Sequence, residues 1–218
     1  MNNNIYSILH RLDSVTYNHS VRVMSIAREL ETFLSFDNHL LSNAALVHDV
    51  GKIYISSKIL DKRGRLEQIE RQIIDLHAYI GYQILKEQGI KEEICRIVLY
   101  HHGTDPILLD NIPACNGMLI YEMAQMLHSI DSFEALTSDR PYHRGLLPIE
   151  ALEIMKKESG HHQATLDYLN FVLNNPDRDV AGAIFRGKNN KEDEFVKNVY
   201  YELNSVEDGM CKKFVRVI

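Results

Sequence analysis

Leu41-Ser42-Asn43-Ala44-Ala45-Leu46-Val47-His48-Asp49-Val50-Gly51-Lys52 is the stretch that decides the fold. Leu41, Ala44, Ala45 and His48 recur at intervals of three and four, the spacing of one helical face. The stripe ends in a His-Asp pair, and Gly51 follows as a helix-end residue. An apolar helix face that closes on an imidazole and a carboxylate aims polar chemistry at the protein interior.

The same periodicity continues on both sides. Upstream it runs through Val23, Ala27, Leu30 and Leu34. Downstream a third stripe takes in Ile69, Ile73, Leu76, Ile80 and Ile84, a fourth Ile94, Ile97 and Val98, and a fifth Ile120, Ala124 and Leu127. A sixth helix is expected over Ile149–Lys157, with Pro148 at its entry. Gly64, Gly89, Gly103 and Gly160 fall where stripes stop. Short β-like pieces at Ile53–Ile55 and Val180–Phe185 have no convincing partner, and Gly103–Asn116, with Pro106 and Pro113, reads as a loop. The expected fold class is therefore all-α: a helical bundle over residues 1–173, followed by a C-terminal appendage over 174–218 with a helix at Glu194–Leu203.

Composition narrows the function classes. The 218 residues fit one domain with a well-buried core. A formal charge of −6 argues against a general binder of nucleic-acid duplexes, which would carry a basic face. An anionic substrate must then be held by local charge, which metal ions can supply. No apolar run is long enough to span a membrane, and Met1-Asn2-Asn3-Asn4 does not open a signal peptide. Cys95, Cys115 and Cys211 are far apart and odd in number, as expected of free thiols in a reducing cytoplasm. The excess to be explained is eleven histidines.

Several of them sit in register with the stripes. His19 precedes Val23 by four; His48 follows Ala44 by four; His77 follows Ile73 by four and precedes Ile80 by three. His101 follows Ile97 by four, and Asp131 follows Leu127 by four. Helix bundles build metal sites from inward side chains of this kind. A lone histidine on an apolar face is more often a hydrogen-bonded core residue than a ligand. Five such positions, together with the pairs His48-Asp49 and His101-His102, shift the balance toward ligation. Asp49 and Asp131 would be buried carboxylates in need of a countercharge, and salt bridges to Lys52 or Arg140 are the structural alternative. Imidazole and carboxylate without thiolate suit iron, manganese, nickel, cobalt or zinc. Seven candidate ligands (His19, His48, Asp49, His77, His101, His102 and Asp131) are too many for one ion with open positions. They suit two divalent ions sharing a bridging carboxylate.

His48-Asp49-Val50-Gly51-Lys52 resembles the His-Asp-x-Gly-Lys signature of HD-domain phosphohydrolases. The wider pattern is similar to the HD-GYP family of cyclic di-GMP phosphodiesterases. It takes in His19-Ser20-Val21-Arg22-Val23, His77 with Gly81, Tyr100-His101-His102 and the block Asp131–Tyr142, in the family's order from about residue 13 to 173. The resemblance implies that His19, His48, Asp49 and Asp131 hold one ion. It gives the other to Asp49, His77, His101 and His102, so that Asp49 bridges. It implies that Lys52 contacts the scissile phosphate, with Arg140 and His143 as further phosphate-binding positions, and that a cyclic dinucleotide is cleaved by a metal-bridging hydroxide. The family's Gly-Tyr-Pro loop is replaced here by Gly103–Asp110, which puts the choice of nucleotide in question. Val15 stands where some members carry a glutamate ligand for a third metal, so two ions are expected.

His10, His39, His128, His161 and His162 receive no role, and Arg22 and Arg144 read as structural or solvent-exposed. Rival functions are an HD hydrolase for another nucleotide or a phosphomonoester, a non-catalytic nucleotide- or metal-sensing module, and a diiron oxygenase. All seven candidate ligands are present, which disfavours the sensing module, and the Asp131–Tyr142 block disfavours the oxygenase. Regulation is expected from a partner protein or from the appendage.

Overall fold

The structure, a computed structural model, describes residues 5–103, 113–115, 118–139 and 144–175. Arg140 and His143, most of the Gly103–Asn116 loop, and the segments Val180–Phe185 and Glu194–Leu203 lie outside the described residues. So does nearly all of the expected appendage.

Within those bounds the chain is helical, as expected. The helices are α1 (Ile5–Leu9), α2 (Ser14–Phe33), α3 (Leu40–Val47), α4 (Ser57–Leu60), α5 (Gln68–Asp75), α6 (His77–Glu87), α7 (Glu92–Tyr100), α8 (Ile120–Thr137), α9 (Pro148–Met155) and α10 (Gln163–Asn174). Asp13 starts α2 by accepting the Val15 and Thr16 amides at 2.9 Å, satisfying donors that a helix start leaves open. Val23, Met24, Ala27 and Leu30 of α2 are wholly buried against Leu41, Ala44 and Ala45 of α3. Burial of each such leucine stabilises by about 1.5–3 kcal/mol. The buried carboxylate of Glu31 fixes the α2–α3 pair, accepting from the Ser42 amide at 3.0 Å and its hydroxyl at 2.7 Å. α7 packs on α3 and α8, and α8 returns to α2, so α2, α3, α7 and α8 enclose one core.

Three local expectations need correction. The third stripe is two helices: α5 ends at Asp75, the chain turns at Leu76, and α6 starts at His77. Ile69 and Leu76 consequently face solvent instead of the core. Ile53–Ile55 is not strand-like. Val50–Tyr54 is a 3₁₀ helix, bonded from the Lys52 amide to the Asp49 carbonyl and from the Ile55 amide to the Lys52 carbonyl, each at 2.9 Å. The loop region contains a short antiparallel ribbon, β1 (Pro113–Cys115) with β2 (Met118–Leu119). α10 adds a further stripe, in which Leu166, Leu169 and Val172 recur at intervals of three and are buried.

Candidate metal centre

Three of the predicted histidines use one local device. The C-terminal end of a helix leaves carbonyls without partners, and an imidazole just past that end can fold back to fill one. His48 does so at the end of α3, its Nδ1 donating to the Ala45 carbonyl at 2.7 Å. His77 does it past α5, onto the Ile74 carbonyl at 2.6 Å, and His101 past α7, onto the Val98 carbonyl at 2.6 Å. A carbonyl can only accept, so Nδ1 carries the proton in each ring and a neutral ring presents a bare lone pair at Nε2. Gly103, at φ 87°, ends the α7 turn immediately after His102. The C-terminal ends of α3, α5 and α7 thus face one spot with partial negative charge, which favours a cation there.

All seven candidate ligands meet at that spot. Imidazole nitrogens of His77, His101 and His102 form one group, and those of His19 and His48 with an Asp131 oxygen form a second, each group within 4.8 Å. The buried Asp49 lies between them. Its Oδ1 is 3.3 Å from His77 Nε2, and its Oδ2 is 3.7 Å from His19 Nε2 and 3.5 Å from His48 Nε2. Asp131 Oδ1 is 3.0 Å from His19 Nε2. Lys52 Nζ donates to Asp49 Oδ2 at 2.7 Å, so the salt bridge weighed as a structural alternative is present beside the histidine cluster.

Two observations fit a metal better than a hydrogen-bonded histidine core. His48 Nε2 is buried with no hydrogen-bond partner, an arrangement that costs roughly 1–3 kcal/mol if nothing binds there. Nε2 of His77 faces Nε2 of His101 at 3.4 Å and of His102 at 3.2 Å. With the protons of His77 and His101 on Nδ1, their two lone pairs oppose each other unless a cation lies between.

Electrostatics divides the centre. Burial lowers the pKa of His77, against the pull of Asp49. Burial and the adjacent His102 drive His101 far down, and burial with His77 brings His102 to about 4. That trio is neutral, the state a metal requires. Burial works against protonation of His19, but hydrogen bonds to Asp131 and Glu134 outweigh it and raise its pKa to about 9. Burial also opposes ionisation of Asp49, yet the electrostatic influence of the groups that face it, His48 and then the Lys52 ammonium, holds it well below the ordinary carboxylate range.

Two residues with no assigned site role join the centre. Glu134 accepts from His19 Nδ1 at 2.5 Å, and Arg22 Nε donates to the same carboxylate. The available signal was spacing: Glu134 lies three residues beyond Asp131 on α8, beside the buried Ile130 and Phe133. Arg22, three residues beyond His19, therefore belongs to the surroundings of the site.

Residues 16–165 match the HD domain family, and the chain belongs to it. Over 150 residues the chain is 36% identical to the 3',3'-cGAMP-specific phosphodiesterase 3 of Vibrio cholerae, covering 65% of this chain and 31% of that protein. Over 156 residues it is 30% identical to a cyclic di-GMP phosphodiesterase of Pseudomonas aeruginosa, covering 68% and 37%. The chain thus spans about a third of the length of these relatives. The HD domain of the L. monocytogenes phosphodiesterase PgpH, solved in complex with cyclic-di-AMP, shares the fold at a TM-score of 0.51 and 21% identity, covering 94% of this chain and 96% of that one. These matches agree with the resemblance seen in His48–Lys52 and the Asp131–Tyr142 block. HD domains are metal-dependent, and this one has two groups of residues that could hold metal. No helix among the described residues is long and apolar enough to cross a membrane.

Proposed function

We propose that this chain is a two-metal phosphodiesterase acting on a 3',3'-linked cyclic dinucleotide, with cyclic di-GMP the expected substrate. The observation that carries the reading is the two-sided placement of Asp49, one carboxylate oxygen toward His77 and the other toward His19 and His48. His19, His48, Asp131 and Asp49 Oδ2 would hold one divalent ion; His77, His101, His102 and Asp49 Oδ1 would hold the other. Two such ions would supply Lewis acidity toward phosphoryl oxygens and would make water a nucleophile near neutral pH.

The protein's own groups do the rest. The helix-end carbonyls at Ala45, Ile74 and Val98 fix the tautomers of three rings before any ion arrives. Lys52 extends from the 3₁₀ helix beside the cluster, where its ammonium can offset charge that grows on a phosphoryl group in the transition state. Arg140 and His143, placed by resemblance alone, are assigned to the phosphates. The named activities of the V. cholerae and P. aeruginosa relatives support the substrate class.

The test is to strip the protein with chelator, reload it with Mn²⁺, and incubate it with cyclic di-GMP, 3',3'-cGAMP, cyclic di-AMP and a phosphomonoester. Chromatography should show a linear dinucleotide or mononucleotides from at least one cyclic substrate. Protein that holds two equivalents of Mn²⁺ and cleaves none of the three would overturn the proposal.

A further inference from the structure

His19 lacks the helix-end carbonyl that supports His48, His77 and His101. It lies inside α2, where the carbonyls three and four residues back are committed to the helix, so its Nδ1 must find an acceptor elsewhere. That acceptor is Glu134 Oε2 of α8, at 2.5 Å. Glu134 and Asp131, one turn apart, grip opposite nitrogens of one imidazole, with Asp131 Oδ1 3.0 Å from Nε2. The second oxygen of Glu134 accepts from Arg22 Nε and from Ser138 Oγ, the latter at 2.5 Å. The carboxylate is almost fully buried and has three donors, so its position is determined from three directions.

We infer that Glu134 is the positioning residue of the His19 side of the centre. It keeps the His19 proton on Nδ1, turns Nε2 toward Asp131 and Asp49, and is itself anchored by Arg22 and Ser138. A metal-ligating imidazole typically donates its other N–H to a carboxylate or a carbonyl, which fixes the ring and raises its basicity. Here the three rings at helix ends use carbonyls, and the one ring within a helix uses a carboxylate from a facing helix. The inference rests on His19 being a metal ligand, as proposed above.

The experiment is calorimetric titration of chelator-stripped protein with Mn²⁺, for the wild type, Glu134→Gln, Ser138→Ala and His19→Ala. Glu134→Gln should weaken one of the two sites by about 10–100-fold and leave the other unchanged, while Ser138→Ala leaves both near wild type. A merely structural role would not reach the second readout, the histidine ¹⁵N spectrum of the Zn²⁺-loaded wild type. There His19 should carry its proton on Nδ1 and the metal on Nε2. The spectrum needs no Glu134 variant to fold. The opposite assignment of the His19 nitrogens overturns the inference. So does wild-type affinity in Glu134→Gln when His19→Ala has lost a site, an outcome that leaves the two-metal reading standing. If His19→Ala itself keeps both sites, His19 is no ligand and both ideas fail.

Discussion

Gly51→Ala is a one-carbon change that should damage both the fold and the centre. A Cβ on Gly51 would sit 2.1 Å from the His77 carbonyl oxygen, 2.7 Å from the Gly81 nitrogen and 2.9 Å from the His77 carbonyl carbon. All three are backbone atoms and cannot rotate away. Ordinary contact begins at 3.4 Å, so the 3₁₀ helix and α6 must part by roughly 1 Å or more. Overpacking of this kind costs about 1–3 kcal/mol, occasionally more, or about 2–4 °C of melting temperature per kcal/mol in a chain of this size. The two segments that part carry Lys52 and His77, and Asp49 Oδ1 sits 3.3 Å from His77 Nε2 across the gap. A displacement of that order can cost about a hundredfold in turnover. Gly81→Ala is the control, because it enters the same contact from α6 and meets its neighbours at 3.4–3.5 Å. It also gains about 0.8–1 kcal/mol of helix propensity. Differential scanning fluorimetry, Mn²⁺ equivalents per chain and turnover on the proposed cyclic-dinucleotide substrate should separate the pair. Gly51→Ala with wild-type melting, metal content and rate would refute the reasoning.

Lys52→Ala should keep the fold and both metals but lose roughly a hundredfold or more in turnover, a common cost of removing one charge-stabilising group; steady-state kinetics beside metal analysis checks this. Asp49→Ala should lose metal from both sides at once, since its two oxygens serve both groups, so two retained equivalents in elemental analysis would count against the bridge. Metal removal should lower the melting temperature, because ions bind only the folded cluster: at Mn²⁺ a hundredfold above its dissociation constant the gain is about 2.7 kcal/mol for each site, which a melting series at rising Mn²⁺ measures. Burial pushes the Cys95 thiol up to about 12, which disfavours its reactive thiolate at neutral pH. Cys95 should therefore resist iodoacetamide until the protein unfolds, as peptide mass spectrometry can show.

The seven candidate ligands were legible because each lies at a three- or four-residue offset from apolar positions, or adjoins one that does. What spacing did not reveal was how they are held. The stripes implied rings projecting from helix faces, whereas His48, His77 and His101 stand at helix ends and spend Nδ1 on the last carbonyls. The break at Leu76 was invisible because Leu76 keeps right-handed helical dihedrals (φ −62°, ψ −17°) and the apolar spacing runs on through it. Ile53–Ile55 looked strand-like from its β-branched residues, but the hydrogen bonds that follow Asp49 impose a 3₁₀ turn. Gly51 falls where the stripe of α3 stops, yet its need is close backbone approach to α6, which depends on a partner 26 residues away. Glu134 was within reach: a buried acid one turn from a candidate ligand needs a donor, and His19 was the available one.

One titration tests the two-metal centre at its root. Chelator-stripped protein, supplied with the proposed cyclic-dinucleotide substrate, receives Mn²⁺ in steps while initial rate is recorded against the metal-to-protein ratio. Turnover should stay low below one equivalent, climb steeply between one and two, and break at two. A rate that saturates at one equivalent, or remains at background beyond two, would contradict a two-metal phosphodiesterase bridged by Asp49.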